Sequence, residues 1–461
     1  MGKIIRFNAF QMNTVSHQSP GLWTHPRDNS HRYTDPEHWT ELARLLEAGR
    51  FDAIFLADVL GVYDVYHASL DAALRHGVQV PLNDPLALVP LMAGATKHLG
   101  FGVTCALTYE HPYTFARRMS TLDHLSGGRI GWNIVTGYLD SAARNLGLNR
   151  QLSHDERYDL ADEYLDVVYK LWEKSWDDDA VVNDKQRGIY ADPARVHAIN
   201  HQGRYYTVPG IHLCEPSPQR TPLLYQAGTS PRGTTFAARH AECTFVSGPS
   251  KKVVKRYVDD IRAAASAQGR DASQLLIYAQ ALIVTAPTEA EARAKYEEYR
   301  QHIDIDAALA LLSGWTGVDF GAFPLEATID YIESDAGRSA LASFSATDPD
   351  RKWTVREAAE FIGLGGRGPV LVGDPRQVAD QLESWMDDTG IDGFNLAFAV
   401  AHETMRDVVE LIVPELQHRG RYRTKYTEGS LRHKLFGAGS RLHAQHTGRQ
   451  VRIDTPLQTA A

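Results

Sequence analysis

Short runs of apolar residues alternate along the chain with longer stretches in which apolar residues recur every three or four positions. The short runs are nearly continuous in apolar residues, as expected for strands that are covered on both faces. They predict eight strands, at Ile4–Phe10, Phe51–Val59, Leu99–Leu107, Arg129–Thr136, Leu223–Ala227, Cys243–Ser247, Leu276–Val284 and Gly393–Ala399. The stretches between them predict amphipathic helices, among them Tyr158–Trp172.

Strands that alternate with helices in this way are typical of a (β/α)8 barrel, an α/β fold whose interior is filled by side chains. At 461 residues the chain suits one TIM barrel with insertions. We expect a single barrel domain over residues 1–440, insertions at about 174–222 and 303–372, and a polar C-terminal tail over 441–461. The second insertion predicts a cover over the barrel mouth, with a flexible hinge at Gly363–Gly368.

Composition and charge exclude several classes of protein. The content of 43% hydrophobic and 23% charged residues predicts a large core, and the formal net charge of −9 argues against nucleic-acid binding. The cysteines at 105, 214 and 243 have neither metal-site spacing nor the even number of a disulfide framework, and the scattered histidines predict no metal site. The N-terminus does not resemble a signal peptide and no stretch predicts a membrane span, so we expect a cytoplasmic protein.

Polar residues stand where the predicted strands end. Asp58 ends the second strand, Thr104 the third, and Asn133 and Thr136 the fourth. Ligands of parallel α/β proteins bind at such strand ends. We interpret Asp58 either as a ligand-orienting or basic group or as a helix cap or arginine partner. His111 is interpreted either as a general base or, because it precedes a proline, as a group that fixes its loop.

The segment Tyr225–Gly233 is the best candidate for an anion site. A strand ends there in Ala-Gly, hydroxyls follow at Thr229 and Ser230, and a proline opens a helix. Free N–H groups at a helix start attract phosphate, although the same residues also fit an ordinary helix cap. Tyr158, near the start of another helix, is a candidate for a second phosphate contact. The chain has no nucleophile elbow, Walker loop or Gly-x-Gly-x-x-Gly turn, so hydrolase, nucleoside triphosphatase and Rossmann functions lack support.

A series of motifs runs in order along nearly the whole chain. It comprises Phe10 with Met12-Asn13, Gly21-Leu22-Trp23, Phe51 to Asp58, Tyr109 to Tyr113, Arg117 to Gly137, His154 to Asp159, Ser217 to Pro222 and Gln226-Ala227-Gly228. These motifs resemble the flavin-dependent monooxygenases of the bacterial luciferase superfamily. Residues 4–436 resemble the branch that contains nitrilotriacetate, dibenzothiophene-sulfone and long-chain alkane monooxygenases, and the likeness to the alkane enzymes is greatest.

The resemblance implies a TIM-barrel homodimer, or a higher homo-oligomer, that uses O2 and FMN reduced by a separate NADH:flavin reductase. It implies that the flavin ring is surrounded by Asp58, Thr104, Asn133 and Thr136. It implies that the phosphate is held by Tyr158, Gly228, Thr229 and Ser230, with Ala227 as a further cofactor contact. Thr104 and Asn133 are predicted to take part in catalysis as hydrogen-bond donors.

The resemblance also implies a substrate pocket formed by Phe10, Thr14, Tyr63, Tyr138, Leu311 and Trp315. The alkane enzymes carry a cysteine in place of Thr14 and histidines in place of Tyr138 and Leu311. The resemblance therefore implies the flavin chemistry but not an alkane substrate, and the aromatic residues favour a flatter pocket. We predict oxygenation of an apolar molecule, either long-chain alkane-like or an organosulfur or aromatic compound. Oxidative C–S, C–N or C–halogen cleavage, and a flavin-independent lyase or isomerase that uses His111, are the alternatives.

Overall fold

Eight parallel strands close into a barrel in the computed structural model, which describes residues 3–329 and 351–454. With five strands outside the barrel included, the strands of the described residues are β1 (Arg6–Met12), β2 (Ala53–Ala57), β3 (Gly100–Ala106), β4 (Ile130–Val135), β5 (Val181–Asp184), β6 (Ile189–Ala191), β7 (His201–Gln202), β8 (Thr207–Val208), β9 (Leu223–Gln226), β10 (Cys243–Val246), β11 (Leu276–Thr285), β12 (Val370–Gly373) and β13 (Gly393–Ala397). The barrel order is β1-β2-β3-β4-β9-β10-β11-β13, and β13 pairs back to β1. The predicted α/β barrel and its eight strands are confirmed.

Helices surround the barrel and bury the outer faces of its strands. They are α1 (Pro36–Ala48), α2 (Asp71–Arg75), α3 (Leu88–Ala95), α4 (Pro112–Ser126), α5 (Asp140–Asn145), α6 (His154–Lys174), α7 (Pro231–His240), α8 (Lys251–Ala267), α9 (Glu289–Arg300), α10 (Ile305–Thr316), α11 (Val355–Ile362), α12 (Pro375–Thr389), α13 (Glu403–Asp407), α14 (Val413–His418), α15 (Leu431–Phe436) and α16 (Thr447–Gln450). Within the described ranges, no helix combines the length and the apolar character that a membrane crossing requires.

An aromatic layer fills the barrel interior. The ring of Phe55 lies 5.5 Å from that of Tyr225 and 4.2 Å from that of Phe245. Glycine is required beside this layer, because a Cβ on Gly131 would lie 2.6 Å from the ring of Tyr225. Phe55 and Phe245 also line the cavity described below. The packed interior therefore provides a rigid apolar floor for a ligand at the barrel mouth.

The two predicted insertions differ in structure. The first, around residues 174–222, contains the antiparallel hairpins β5–β6 and β7–β8. The second contains α10 and α11, which pack with Tyr63 and Tyr138 from the loops after β2 and β4, so helices replace much of the expected irregular cover. Residues 330–350 of that insertion lie outside the described residues.

The glycine-rich turn after α11 is fixed to β11, where the sequence predicts a flexible hinge. The amide Nε2 of Gln280 donates to the carbonyl of Gly365 at 2.7 Å, and the N–H of Gly365 donates to Ser19 Oγ at 3.1 Å. Gly366 has a φ of +72°, and a Cβ there would lie 2.6 Å from Gln280 Nε2. The turn leads into β12, which pairs with the end of β11.

The C-terminal segment packs against the barrel as far as the structure describes it. Arg441 is paired with Glu173 at 2.8 Å, and Asp454 with Lys170 at 3.0 Å. His446 is buried and its Nε2 lies 2.9 Å from the carbonyl of His240. Residues 441–454 therefore contact α6 and the end of α7.

Candidate active site

A cavity of about 180 Å³ lies toward the carboxyl ends of the barrel strands. Its lining residues are Phe10, Phe55, Ala57, Asp58, Thr104, Asn133, Val135, Ala227, Thr229, Phe245, Val246, Ser247, Gln280, Arg367 and Asn395. The structure thus brings together five of the predicted cofactor residues, from four different strands or their ends. These five, Asp58, Thr104, Asn133, Ala227 and Thr229, are called the strand-end group below.

Thr104 and Asn133 are directly opposite each other on β3 and β4. The amide Nδ2 of Asn133 donates to Thr104 Oγ1 at 2.9 Å, so the hydroxyl proton of Thr104 stays available to a ligand. The Oδ1 atoms of Asn133 and Asn395 are buried and have no hydrogen-bond partner among the described residues. Because buried polar atoms are normally paired, these atoms indicate that a polar ligand completes the site. A flavin ring, with N–H and carbonyl groups along its edge, fits this set of donors and acceptors.

Asp58 lies where this cavity meets a second one of about 520 Å³, which Asp58 and Thr104 also line. Burial, and next the nearby charge of Asp84, raise the pKa of Asp58 to about 7. Among the ion pairs of the described residues, none joins Asp58 to an arginine. These facts favour the ligand-facing role of Asp58 over the arginine-partner alternative. Near neutral pH part of the carboxyl group is protonated and can donate a hydrogen bond.

The start of α7 forms a small polar cradle beside the cavity. Ser230 caps this helix, because its Oγ accepts from the N–H of Gly233 at 3.1 Å. A Cβ on Gly228 or on Gly233 would lie 3.1 Å or 2.8 Å from the hydroxyl oxygen of Tyr158. Glycine at both positions therefore lets the tyrosine hydroxyl approach the helix start.

The positive potential of the cradle comes from the N-terminus of α7 more than from charged side chains. The guanidinium of Arg232 lies over the Tyr158 ring, but it is paired with Asp159 at 3.0 Å and with Asp162 at 2.8 Å. Burial raises the pKa of Tyr158, so its hydroxyl remains a neutral donor. Free N–H groups at a helix N-terminus, together with hydroxyls, fit a phosphate monoester. Ser230 is thus observed as a helix cap, and the anion-binding role that the sequence also left open stays a prediction.

Four predicted cofactor residues do not line the 180 Å³ cavity, namely Thr136, Tyr158, Gly228 and Ser230. The last three form the cradle that flanks Thr229. Thr136 follows β4, and its carbonyl accepts from the hydroxyl of Thr108 at 2.6 Å. Thr136 is thus separated from the other predicted ring contacts, although it belongs to the same strand end as Asn133.

The predicted substrate residues form a second group, which lies mainly in the cap. The hydroxyl of Tyr63 donates to Gln79 Oε1 at 2.9 Å and lies 2.9 Å from the hydroxyl of Tyr138. Tyr138 must then be the donor in the tyrosine pair, because Tyr63 has one proton. Leu311 is fully buried beside them, and Trp315 packs on the same cluster. Tyr63, Tyr138, Leu311, Trp315 and the neighbouring Arg367 are called the cap cluster below.

Phe10 and Thr14, two predicted pocket residues near the N-terminus, differ in whether they line the cavity. Phe10 lines the cavity, whereas the hydroxyl of Thr14 donates to the carbonyl of Pro81 at 2.5 Å. The structure therefore does not bring Thr14 into the cavity lining. His17 packs edge-on against Phe10, with ring centroids 4.3 Å apart. Burial lowers the pKa of His17 to about 3, so its imidazole is neutral there.

His111, the candidate general base, lies away from the lining of both cavities. It is exposed and caps α4, where its Nδ1 accepts from the N–H of Tyr113 at 3.3 Å. This is the loop-fixing role that the following proline favours. A lyase or isomerase that uses His111 would have to work without a cavity around its base.

Several lining residues were missed by sequence reasoning: Phe55, Phe245, Gln280, Arg367 and Asn395. Phe55 and Phe245 lie within predicted strands, where an inward aromatic residue cannot be distinguished from a core residue. The amides of Gln280 and Asn395 were the available signal, because a polar residue within a buried strand needs an explanation. Arg367 lies in a glycine-rich turn whose position only the fold determines.

Comparison with known proteins gives consistent results. A family model described as luciferase-like monooxygenase matches residues 12–393. The dimethyl-sulfide monooxygenase of Hyphomicrobium sulfonivorans is 50% identical, over 98% of this chain and 94% of its own. The long-chain alkane monooxygenase of Geobacillus thermodenitrificans is also 50% identical, over 98% of this chain and 99% of its own. The crystal structure of a riboflavin lyase with modified FMN and riboflavin superposes with a TM-score of 0.91 at 35% identity, covering 98% of this chain and all of that one.

Proposed function

The chain belongs to the luciferase-like monooxygenase family, and on this premise we propose that it is the oxygenase of a two-component system that uses FMN reduced by a separate NADH:flavin reductase. Reduced FMN, when bound, supplies two electrons for the activation of O2, so that one oxygen atom enters the substrate and the other leaves as water. The observation that carries this proposal is the joint occurrence of a polar strand-end group and a helix-start cradle beside one cavity.

The residues of this chain would act by binding, orienting and excluding water. Ser230, Thr229 and Tyr158 would hold the phosphate at the start of α7, while Thr104 and Asn133 would contact the ring edge. The free hydroxyl proton of Thr104 and the unpaired Oδ1 of Asn133 match a partner that both accepts and donates hydrogen bonds. The aromatic floor and the cap would keep bulk water from the reacting atoms.

The substrate is proposed to be a largely apolar organic or organosulfur molecule. The cavity floor is aromatic, and the two relatives at 50% identity are named for a sulfide and for alkanes. Oxidative C–S cleavage and simple hydroxylation use the same reduced cofactor, so the product decides between them. We further propose a homodimer in the cytoplasm, where the three free cysteines would remain reduced.

The decisive experiment combines binding with isotope analysis. FMN is titrated into the apoprotein while flavin fluorescence is followed, and saturable binding is expected. The protein is then supplied with reduced FMN, ¹⁸O2 and a panel of alkanes, sulfides, sulfones and aromatic compounds. One labelled oxygen atom in a product supports the proposal. Saturable binding with hydrogen peroxide as the only product from every substrate would overturn the oxygenase function, and lack of binding would overturn the cofactor assignment.

A further inference from the structure

Arg367 carries a positive charge that has no partner in the described protein. It lines the 180 Å³ cavity, and neither a hydrogen bond nor an ion pair joins its guanidinium to any described residue. Asp58 lines the same cavity but is not ion-paired with it. The guanidinium lies 5.4 Å from the centroid of the Trp315 ring. This weak contact leaves the five N–H donors of the side chain unused.

An arrangement of this kind is costly in the absence of a ligand. Burial lowers the pKa of Arg367, yet an arginine remains charged in proteins. Taking such a charge out of water is unfavourable unless a counter-charge and hydrogen bonds replace the lost hydration. In comparison, Arg432 is buried, and Glu242 holds it at 2.7 Å. Within residues 3–329 and 351–454, no carboxylate is paired with the arginine at the cavity end beside Trp315.

The backbone holds Arg367 at this place. The preceding glycines are fixed to Gln280 and Ser19 by the hydrogen bonds of the turn. On the other side, a Cβ on Gly368 would lie 2.3 Å from the carbonyl oxygen of Gln280, so only glycine allows this approach. The N–H of Leu282 also donates to the carbonyl of Pro369 at 2.9 Å. A donor fixed from both sides is preorganised for recognition.

The surrounding polar groups do not compete with Arg367 for a ligand. The protons of Tyr63 and Tyr138 are used within their own chain of hydrogen bonds to Gln79. Leu311 and Trp315 pack in the same hydrophobic cluster as these tyrosines, and the Trp315 ring lies next to the guanidinium. The cap cluster thus presents one cationic fork in an apolar, aromatic setting. Its geometry matches a molecule that has an apolar body and one planar or tetrahedral oxyanion.

We propose that Arg367 is a specificity residue that binds a carboxylate or sulfonate group of the substrate. This inference rests on the proposed function and narrows it, from a largely apolar molecule to an amphiphilic acid whose apolar part reaches the strand-end group. The oxyanion would accept two parallel N–H bonds from the guanidinium while the aromatic residues enclose the chain. A neutral alkane or sulfide of the same length would leave the arginine unpaired and would bind less tightly.

The test measures binding to the apoprotein, without turnover. The probes are octanoate and octane-1-sulfonate, with octan-1-ol as the neutral control, and the readouts are calorimetry and the fluorescence of the tryptophans. The parent protein is expected to bind the two anions at least about 10-fold more tightly than the alcohol. Arg367→Met should weaken anion binding about 10- to 100-fold and leave the alcohol nearly unchanged. Arg367→Lys should retain part of the preference.

The matched control is Arg351→Met. Arg351 is exposed and stacks on Trp353 at 3.5 Å, so the same substitution removes an arginine–tryptophan contact outside the cavity lining. Its affinities should equal those of the parent. The inference would be overturned if the parent bound the anions and the alcohol with equal affinity. It would also be overturned if Arg367→Met bound FMN less tightly while its anion binding was unchanged. FMN is titrated into the same samples. Saturable FMN binding would support the proposed cofactor function whether or not Arg367 binds the anions.

Discussion

The strand-end group and the cap cluster are built in opposite ways, and of the cap cluster Arg367 lines the same cavity as the strand-end group. Every member of the strand-end group lies at or just beyond the end of a barrel strand, and neighbours such as Thr104 and Asn133 meet because their strands pair in register. The cap cluster gathers residues from loops after β2 and β4, from α10 and from the turn before β12. The first group depends on the barrel alone, whereas the second depends on how the insertions fold over it.

This difference indicates a division of labour. Strand ends are rigid and are shared by any chain with this barrel, so they suit a cofactor that does not vary. Loops and insertions change without disturbing the core, so they suit the substrate. On this view, changes in the strand-end group affect every substrate, and changes in the cap cluster affect the choice among substrates.

The largest effect is expected from removing the Thr104 hydroxyl. Thr104→Val keeps the shape but removes the hydroxyl proton that Thr104 does not use in its bond with Asn133. We expect kcat/KM for oxygenation to fall about 100-fold, a loss typical of one preorganised donor, with hydrogen peroxide replacing product. Product and peroxide per reduced FMN are measured. The control is Thr121→Val, which removes an exposed hydroxyl on α4. If the product yield of Thr104→Val were within about twofold of the parent yield, the catalytic role of Thr104 would be contradicted.

The next effect concerns the cradle. Ser230→Ala removes both the helix cap and a hydroxyl beside the proposed phosphate, and the Kd of FMN should rise about 10-fold. The control is Thr288→Ala, which removes the exposed cap of α9. Both variants should lose about 1 kcal/mol of folding free energy, measured by urea denaturation. If the two variants change the Kd of FMN equally, the cradle is a helix cap and nothing more.

A smaller effect is expected from the titration of Asp58. Its pKa of about 7 means that the carboxyl group gains its charge as the pH rises through neutrality. The new charge would repel anionic reduced FMN, so the affinity for reduced FMN should fall severalfold between about pH 6 and pH 8. The raised pKa also stabilises the fold below the unfolded pKa of about 4, and this contribution is lost as the pH rises through 7.

Asp58→Asn separates this titration from that of the flavin itself. Anaerobic fluorescence titrations of the variant should give an affinity with a clearly smaller dependence on pH across the same window. Denaturation curves should likewise lose the part of the pH dependence that belongs to this carboxyl group. Parallel pH profiles for the parent and the variant would show that Asp58 does not sense the cofactor.

The smallest effect is expected from the tyrosine pair of the cap cluster. Tyr138→Phe removes one neutral hydrogen bond, to Tyr63, and should change the KM for substrate about two- to fivefold because such a bond contributes about 1 kcal/mol or less. The Kd of FMN should stay constant. Tyr190→Phe, at an exposed tyrosine that donates to Glu215, is the control. A change in FMN affinity comparable to that in KM would remove the distinction between the two groups.

Much of the fold follows from local patterns. The eight apolar runs predict the eight barrel strands because a strand covered on both faces must be apolar almost throughout, and each run lies within a few residues of the observed strand. The polar residues at their ends could be predicted as a common site because parallel strands bring their carboxyl ends to one side. The helices of the second insertion were harder to predict, because α10 is buried over residues 307–314 and shows no clear polar face.

The sequence by itself determined the barrel, the family resemblance and the strand-end group, since these depend on residue period and on motifs within single elements. Only the tertiary structure decided that His111 caps a helix, that Thr14 bonds to a backbone carbonyl, and that Arg367 lines the cavity without an ion pair to any described residue. The physical reason is that the charge balance of a buried site is a sum over residues far apart in the chain. An arginine in a glycine-rich turn shows its lack of a partner only when the surrounding elements are in place.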